Sequence, residues 1–80
     1  MDQDIIRIVN RNFSELEASE VLSELGKISL SDVMARSEKN LLNTHLAILK
    51  LAKGDPDRVS HYVRCAKRDF RDVIFWAGEE

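Results

Sequence analysis

The stretch Leu41–Asp57, with the sequence LLNTHLAILKLAKGDPD, decides the fold that this chain is expected to adopt. Its apolar side chains spread over roughly 220° of a helix at about 100° per residue, much wider than the stripe of a surface helix. The pattern predicts a central, mostly buried helix. Gly54 is then suited to stop that helix, Asp55 to cap the next one, and Pro56 to occupy its first position. The stretch therefore predicts two helices that meet at a sharp corner.

Downstream of the corner, the spacing of apolar residues predicts a last helix from Pro56 to about Ala77. The apolar residues alternate four and three positions apart without a slip, as in a helix that packs on its neighbours at a shallow angle. They are Val59, Val63, Ala66, Phe70, Val73 and Ala77. One continuous helix is therefore expected.

Upstream of the corner, two further helices are predicted. The segment Asp4–Asn12 has the apolar spacing of a short helix, carried by Ile5, Ile6, Ile8 and Val9. Ser14 and Glu17 form a capping-box pattern that begins a second helix. The apolar stripe of this second helix would consist of Leu16, Val21, Leu22 and Leu25. Gly26 is expected to end it in the left-handed conformation.

The segment from Asp32 to Lys53 leaves two alternatives open. It could form one long helix, or it could break near the polar stretch Ser37–Asn40. With either alternative, the sequence predicts an all-α fold, a compact bundle of three main helices plus a short N-terminal helix, in a single domain spanning residues 1–80.

Composition predicts a cytoplasmic protein with no membrane association. Of the 80 residues, 44% are hydrophobic and 32% are charged, a balance typical of globular chains. No apolar run approaches the roughly 20 residues of a membrane span, and no signal-peptide pattern is present. The single cysteine, Cys65, allows no intramolecular disulfide, which favours a reducing compartment.

Two segments of the C-terminal half, LKLAKGD (49–55) and AKRDFRDVIFWA (66–77), resemble a recurring pattern of small bacterial helical proteins. The pattern reads Gly-Asp, then Asp-Phe-Arg-Asp-Val-x-x-Trp-Ala, and no function is attached to it. It covers less than half of the chain. The resemblance implies a helical fold and a bacterial setting, and it transfers no functional residue.

A candidate basic face lies on the last predicted helix. Lys67, Arg68 and Arg71 lie three, four and seven positions after Arg64 and so share one side of a helix with it. Such a face could contact phosphates or an acidic partner. The alternative is an ordinary solvated face, since acidic residues flank it and the formal net charge of the chain is −2.

The aromatic residues at the end of this helix form a second candidate surface. Phe75 falls within the basic face, four residues after Arg71, where an aromatic ring should not be solvated. Trp76 falls on the opposite flank, in register with Tyr62. We expect a protein partner or a second copy of the chain to bind through Tyr62, Arg71, Phe75 and Trp76. Two alternatives are that the helix unwinds before Phe75, or that the N-terminal helix covers one flank with Ile5, Ile6 and Phe13.

No catalytic, metal or cofactor site is predicted. His45 lies at the centre of the apolar arc of the central helix, where a base or a ligand is conceivable, but a core histidine bonded to a backbone carbonyl is favoured. His61 and Cys65 lie on the outer side of the last helix, so a zinc site with His45 is rejected. Cys65 beside Arg64 and Arg68 is either a redox-sensitive thiol or an inert, semi-buried one. We do not expect an enzyme.

Residues 20–36 loosely resemble a helix-turn-helix, with the turn at Gly26 and a second helix through Arg36. Leu22 occupies the position where that motif normally has a small residue, and Asp32 and Glu38 make the second helix a poor match for phosphate. The favoured function is therefore a non-catalytic protein-interaction or regulatory module. The alternative is a nucleic-acid-binding protein that uses this degenerate motif or the basic face.

Overall fold

Five α-helices joined by short turns make up the computed structural model, which describes residues 1–80. They are α1 (Gln3–Asn12), α2 (Glu15–Leu25), α3 (Glu38–Ala52), α4 (Pro56–Arg68) and α5 (Phe70–Glu79). The predicted all-α class and compact packing are confirmed, with overall dimensions of 33 × 24 × 18 Å and no strand. The division into three main helices and one short helix is replaced by five helices, for reasons that lie in residues 27–37 and at Asp69.

The start of α2 follows the predicted capping box. The Ser14 hydroxyl accepts the Glu17 N–H at 3.3 Å, and the Glu17 carboxylate accepts the Ser14 N–H at 3.2 Å. The expected left-handed glycine at the end of α2 is wrong, because Gly26 has a φ of −65°. Its N–H still bonds to the Leu22 carbonyl at 3.0 Å, so the chain leaves α2 by a further right-handed turn.

Residues 32–53 do not form one long helix. Of the two alternatives left open by the sequence, the break near Ser37–Asn40 is the one observed. Two short 3₁₀ turns, Leu30–Asp32 and Met34–Arg36, precede α3. The helix then begins at Glu38, where the Ser37 side chain accepts the Asn40 N–H at 3.2 Å. Serine is a strong N-cap, and here it overrides the helical propensity of the residues before it.

The corner between α3 and α4 forms as predicted. Lys53 and Gly54 adopt positive φ values of 52° and 81°, which reverse the chain after α3. The Asp55 side chain accepts the Asp57 N–H at 2.9 Å, and Pro56 is the first residue of α4.

The continuous last helix predicted from Pro56 to about Ala77 is wrong, because the chain breaks at Asp69. This residue is extended, with φ −160° and ψ 104°, and its side chain accepts the Arg71 N–H at 3.0 Å as the N-cap of α5. An aspartate side chain can replace helical hydrogen bonds with a cap in this way. The spacing of apolar residues carries no information about such a cap.

The core lies around α3, which packs against α1, α4 and α5, while α4 also packs against α2. The largest side chains in it that are almost completely buried are Ile5, Leu25, Ile48, Val9, Val21, Val59 and Val73. Leu16, predicted to belong to the apolar stripe of α2, is instead 85% exposed because it lies in the first turn, outside the packed face. None of the five helices combines the length and apolar character that crossing a membrane requires.

Candidate interaction surface on the C-terminal helix

The helix α5 has an inward face and an outward face. Val73 and Ala77 are buried against the rest of the chain. Phe75 lies about 200° around the helix from Val73 at about 100° per residue, so it points away from the core. Its side chain is 65% exposed, the most exposed aromatic ring in the molecule. The outward face of α5 therefore carries a large apolar group with no intramolecular cover.

Of the two intramolecular explanations, unwinding of the helix before Phe75 is wrong, and cover by the N-terminal helix does not extend to Phe75. The helix does not unwind before Phe75, because α5 continues to Glu79. The N-terminal helix does not cover Phe75, because α1 packs on α2 and α3. Ile5 and Phe13, the side chains expected to provide that cover, are buried in the core instead.

Trp76 and Tyr62 contact each other on the other flank of α5, although in the continuous helix predicted from the sequence they would lie about 21 Å apart. Their ring centroids are 6.3 Å apart, with the planes tilted by 58°. The His61 ring lies 5.0 Å from Tyr62 in an edge-on arrangement. Trp76 is 38% exposed, so this aromatic pair is half covered by its own chain. The break at Asp69 makes this contact possible, because it allows α5 to pack against α4.

A shallow groove of about 300 Å³ runs between α3 and α5 beside Phe75. Its lining consists of Asn40, Asn43, Phe70, Arg71, Ile74 and Phe75. The side that belongs to α5 is mostly apolar, and the side that belongs to α3 presents two amide side chains. A surface of this kind offers apolar contact together with hydrogen-bonding groups.

Arg71 is the one charged residue that lines this groove. It forms a bidentate pair with Asp69, with Nε 3.0 Å and one terminal nitrogen 2.9 Å from the two carboxylate oxygens. Hydrogen bonding to Arg71 lowers the pKa of Asp69, and the carboxylate raises the pKa of Arg71. The pair orients the guanidinium and leaves one of its terminal nitrogens facing other partners.

The predicted basic face is divided by the break at Asp69. Arg64, Lys67 and Arg68 lie on α4 and line a groove of about 540 Å³, together with Lys27, whereas Arg71 lines the groove beside Phe75. All four predicted residues are exposed, but the structure does not gather them into one surface.

Internal contacts also reduce the positive charge of this face. Lys67 donates to the Asp32 carboxylate at 3.0 Å and to the Lys27 carbonyl at 3.1 Å. The pKa of Asp32 is held low first by the backbone N–H of Ser29 and then by Lys67. Lys27 pairs with Glu24 at 2.6 Å. Of the basic residues around this groove, only Arg64 and Arg68 lack a carboxylate partner.

The helix-turn-helix considered as an alternative for residues 20–36 is not formed. The first helix is present as α2, but residues 30–36, which would be the second helix, form the two 3₁₀ turns. Ala35 and Arg36 adopt positive φ values of 58° and 50°, which are incompatible with a continuing α-helix. No recognition helix of the expected kind follows the turn.

His45 is a core histidine bonded to a backbone carbonyl, as predicted. Its Nε2 lies 2.9 Å from the carbonyl oxygen of Leu25, at the end of α2, and the residue is 5% exposed. Burial lowers the pKa of His45, while hydrogen bonding to the backbone of Leu25 and Ile28 opposes that shift. The neutral ring therefore links α3 to the end of α2 by a hydrogen bond.

Cys65 is a free, buried thiol. Its sulfur lies 3.8 Å from His61 Nε2 and 3.6 Å from a terminal nitrogen of Arg68. No group of three or more histidine, cysteine, aspartate or glutamate side chains lies close enough to hold a metal ion.

The sequence suggested Tyr62, Arg71, Phe75 and Trp76 as candidates for partner binding but did not predict the groove to which Phe75 belongs. Ile74 and Asn43 complete that groove, and they come together only because α5 packs beside α3. The one feature of the local sequence that could have indicated the groove is Asp69, because a capping residue there ends α4 and lets α5 begin in a new direction. Comparisons with protein-family models, curated proteins and solved structures found no match to this chain.

Proposed function

We propose that this chain is a non-catalytic protein-interaction module that binds through its aromatic C-terminal end, where Arg71 and Phe75 lie on one flank of α5 and Tyr62 and Trp76 on the other. The observation that carries this proposal is the 65% exposure of Phe75 on the outward face of α5. Single exposed apolar residues are common on protein surfaces. Phe75, however, adjoins an apolar groove and an arginine, and aromatic residues and arginine are enriched at protein interfaces.

Folding of α5 does not require Phe75. Val73 and Ala77 hold the helix against the core, and Asp69 caps its first turn. An exposed phenylalanine adds no packing inside the chain and raises the risk of aggregation. A binding role accounts for its presence better than a structural role does.

The groups that a catalyst would use are engaged elsewhere. His45 is buried and bonded to a backbone carbonyl, and Cys65 is 5% exposed. The groove beside Phe75 contains no histidine, cysteine or carboxylate. These features support a binding surface in preference to a reaction site. The free thiol of Cys65 also supports our proposal that the module works in the cytoplasm, where cysteines stay reduced.

The proposal can be tested by photo-cross-linking in cells. A photoreactive phenylalanine analogue at position 75 of the full chain should give a discrete cross-linked product. The control places the same analogue at position 16, because Leu16 is also exposed and apolar but lies on α2. A product from position 75 and none from position 16 supports the proposal. No product from either position, or products of the same sizes from both, contradicts it.

A second candidate is nucleic-acid binding through the groove on α4. It is favoured by Arg64 and Arg68, which face solvent without carboxylate partners. Phosphate contacts make binding salt-dependent. Fluorescence anisotropy with random-sequence duplex DNA at low ionic strength should then show binding that Arg64→Ala weakens and added salt removes. An unchanged anisotropy at low salt would eliminate this candidate.

A further inference from the structure

The outward face of α5 carries charged residues on both sides of Phe75. Arg71 lies one helical turn before Phe75, and Glu79 lies one turn after it, on the same side of the helix. All three residues are exposed. Asp72 is also exposed on this side, three positions before Phe75, so Arg71 provides the one positive charge of the face and Glu79 a negative charge beyond the ring.

We infer that the occupant of this face is a second copy of the chain, with the two α5 helices antiparallel about a twofold axis at Phe75. This inference rests on the proposed function, because it names the partner of the same surface. In such a pair the same residues are used on both sides of the axis. Phe75 would meet the partner's Phe75 at the centre of the contact.

The charges select the antiparallel arrangement. With Phe75 on the axis, Arg71 faces the partner's Glu79, and the second, symmetric pair forms at the other end. A parallel arrangement would instead place arginine against arginine and glutamate against glutamate. Like charges across an interface oppose binding and fix its register. A single charge pattern thus favours one orientation of the dimer.

Both charged groups are available for this contact. Glu79 makes no ion pair within its own chain. Arg71 uses Nε and one terminal nitrogen on Asp69, which leaves its other terminal nitrogen free to donate to a carboxylate of the partner. Asp69 therefore orients Arg71 before the dimer forms.

Gly78 allows the two helices to approach closely. A side chain added at Gly78 would have no neighbour within 4 Å, so this part of the surface is open. Helical side chains lean towards the N-terminus of their own helix. In an antiparallel pair, the Phe75 ring therefore leans towards the partner's Gly78, where no side chain obstructs it.

The size of the contact predicts a reversible dimer. A helix of ten residues is about 15 Å long. A contact built on one such helix and the adjoining groove falls at the small end of protein interfaces, below about 1,200 Å², where association is weak and transient. The dimer should therefore appear only as the protein concentration is raised.

Sedimentation velocity from about 10 μM to about 1 mM tests the inference. The wild-type protein should shift towards twice its monomer mass over this range. Arg71→Glu alone and Glu79→Arg alone should each weaken the dimer by about tenfold, because each replaces two attractions with two repulsions. An equimolar mixture of the two variants should associate again, since each contact would then join opposite charges.

Two controls test whether a weaker dimer results from the altered contact and not from unfolding or from the loss of any exposed apolar side chain. Circular dichroism of each variant verifies that it remains folded. Leu16→Ala removes an even more exposed apolar side chain from α2 and should leave the dimer unchanged, whereas Phe75→Ala should weaken it. A wild-type monomer at every concentration overturns the inference, as does a dimer that the charge reversals do not weaken.

Failure of this inference can be told apart from failure of the proposed function. A monomer whose position 75 still cross-links in cells to a product other than twice its own mass contradicts the second copy and supports an interaction with a different protein. A monomer that gives no product from position 75 contradicts both.

Discussion

The inward face of α3 and the outward face of α5 carry apolar side chains of similar size in opposite surroundings. Ile48 on α3 is completely buried, whereas Phe75 on α5 is 65% exposed. The two residues differ in what surrounds them, because α3 is enclosed by α1, α4 and α5, while α5 is packed on one side only. Apolar character thus marks both a core position and a candidate binding position, and only the neighbouring helices separate the two.

Substitution by alanine should give the largest difference between the two faces. Ile48→Ala should lower the free energy of unfolding by about 2–5 kcal/mol, because it leaves a cavity in the core. Phe75→Ala should change it by no more than about 0.5 kcal/mol, as at other exposed sites. Urea denaturation followed by circular dichroism at low protein concentration measures both values.

If Ile48→Ala does not fold, Ile48→Val provides the same test with an expected loss of about 0.5–1.5 kcal/mol. An equal loss at positions 48 and 75 would mean that Phe75 belongs to the core, and the contrast between the faces would disappear.

The orientation of the outward face should depend on the cap at Asp69. Asp69→Ala should cost about 1 kcal/mol, because it removes the side chain that accepts the Arg71 N–H. Without that cap, α4 and α5 can join into one helix and alter the contact between Trp76 and Tyr62. Denaturation measures the loss of stability, and the emission wavelength of the single tryptophan reports the altered contact.

Asp55→Ala is the matched control for this substitution. It removes an equivalent cap, at 2.9 Å from the Asp57 N–H, but Pro56 still prevents α3 and α4 from joining. A similar loss of stability with unchanged tryptophan emission is expected. If Asp69→Ala costs nothing and leaves the emission unchanged, the break does not depend on the cap.

Mild acid should lower the free energy of unfolding through His45, on the buried face of α3. This effect should be smaller than those of the substitutions above. Burial lowers the pKa of His45 below its usual value of 6.5 in the folded chain. The unfolded chain therefore binds a proton at pH values where the folded chain does not. The stabilisation is fully present above pH 6.5 and is lost as the pH falls from 6.5 through the lower pKa of the folded state.

Denaturation at several values between about pH 7.5 and about pH 5.5 measures this dependence. His45→Gln should flatten the dependence, because it removes the buried group whose pKa differs between the folded and unfolded chain. A dependence that His45→Gln does not alter would assign the effect to other groups.

Much of the fold was predictable because its signals are local. Ser14 with Glu17 placed the start of α2, and Gly54 with Pro56 placed the corner between α3 and α4. His45 was predicted to bond to a backbone carbonyl because a histidine within an apolar arc must find a partner. In each case, residues close together in the sequence determine the result.

The break at Asp69 and the 3₁₀ turns before α3 were harder to predict, because two local preferences compete there. At Asp69, the apolar spacing favours a continuous helix while the aspartate favours a cap. Residues 30–36 follow capping serines and an aspartate that could equally begin a long helix. In the structure the caps at Ser37 and Asp69 both form, and α3 and α5 begin after them.

By itself, the sequence determined the all-α class, the caps of α2 and α4, and the presence of two aromatic residues on opposite flanks of the last helix. Caps and turns depend on hydrogen bonds within a few residues, so they can be read from the sequence. Only the tertiary structure decided that Phe75 stays uncovered beside a groove, and that Arg71 is separated from the basic residues of α4. Exposure depends on which helices pack against a residue, and those helices come from distant parts of the chain.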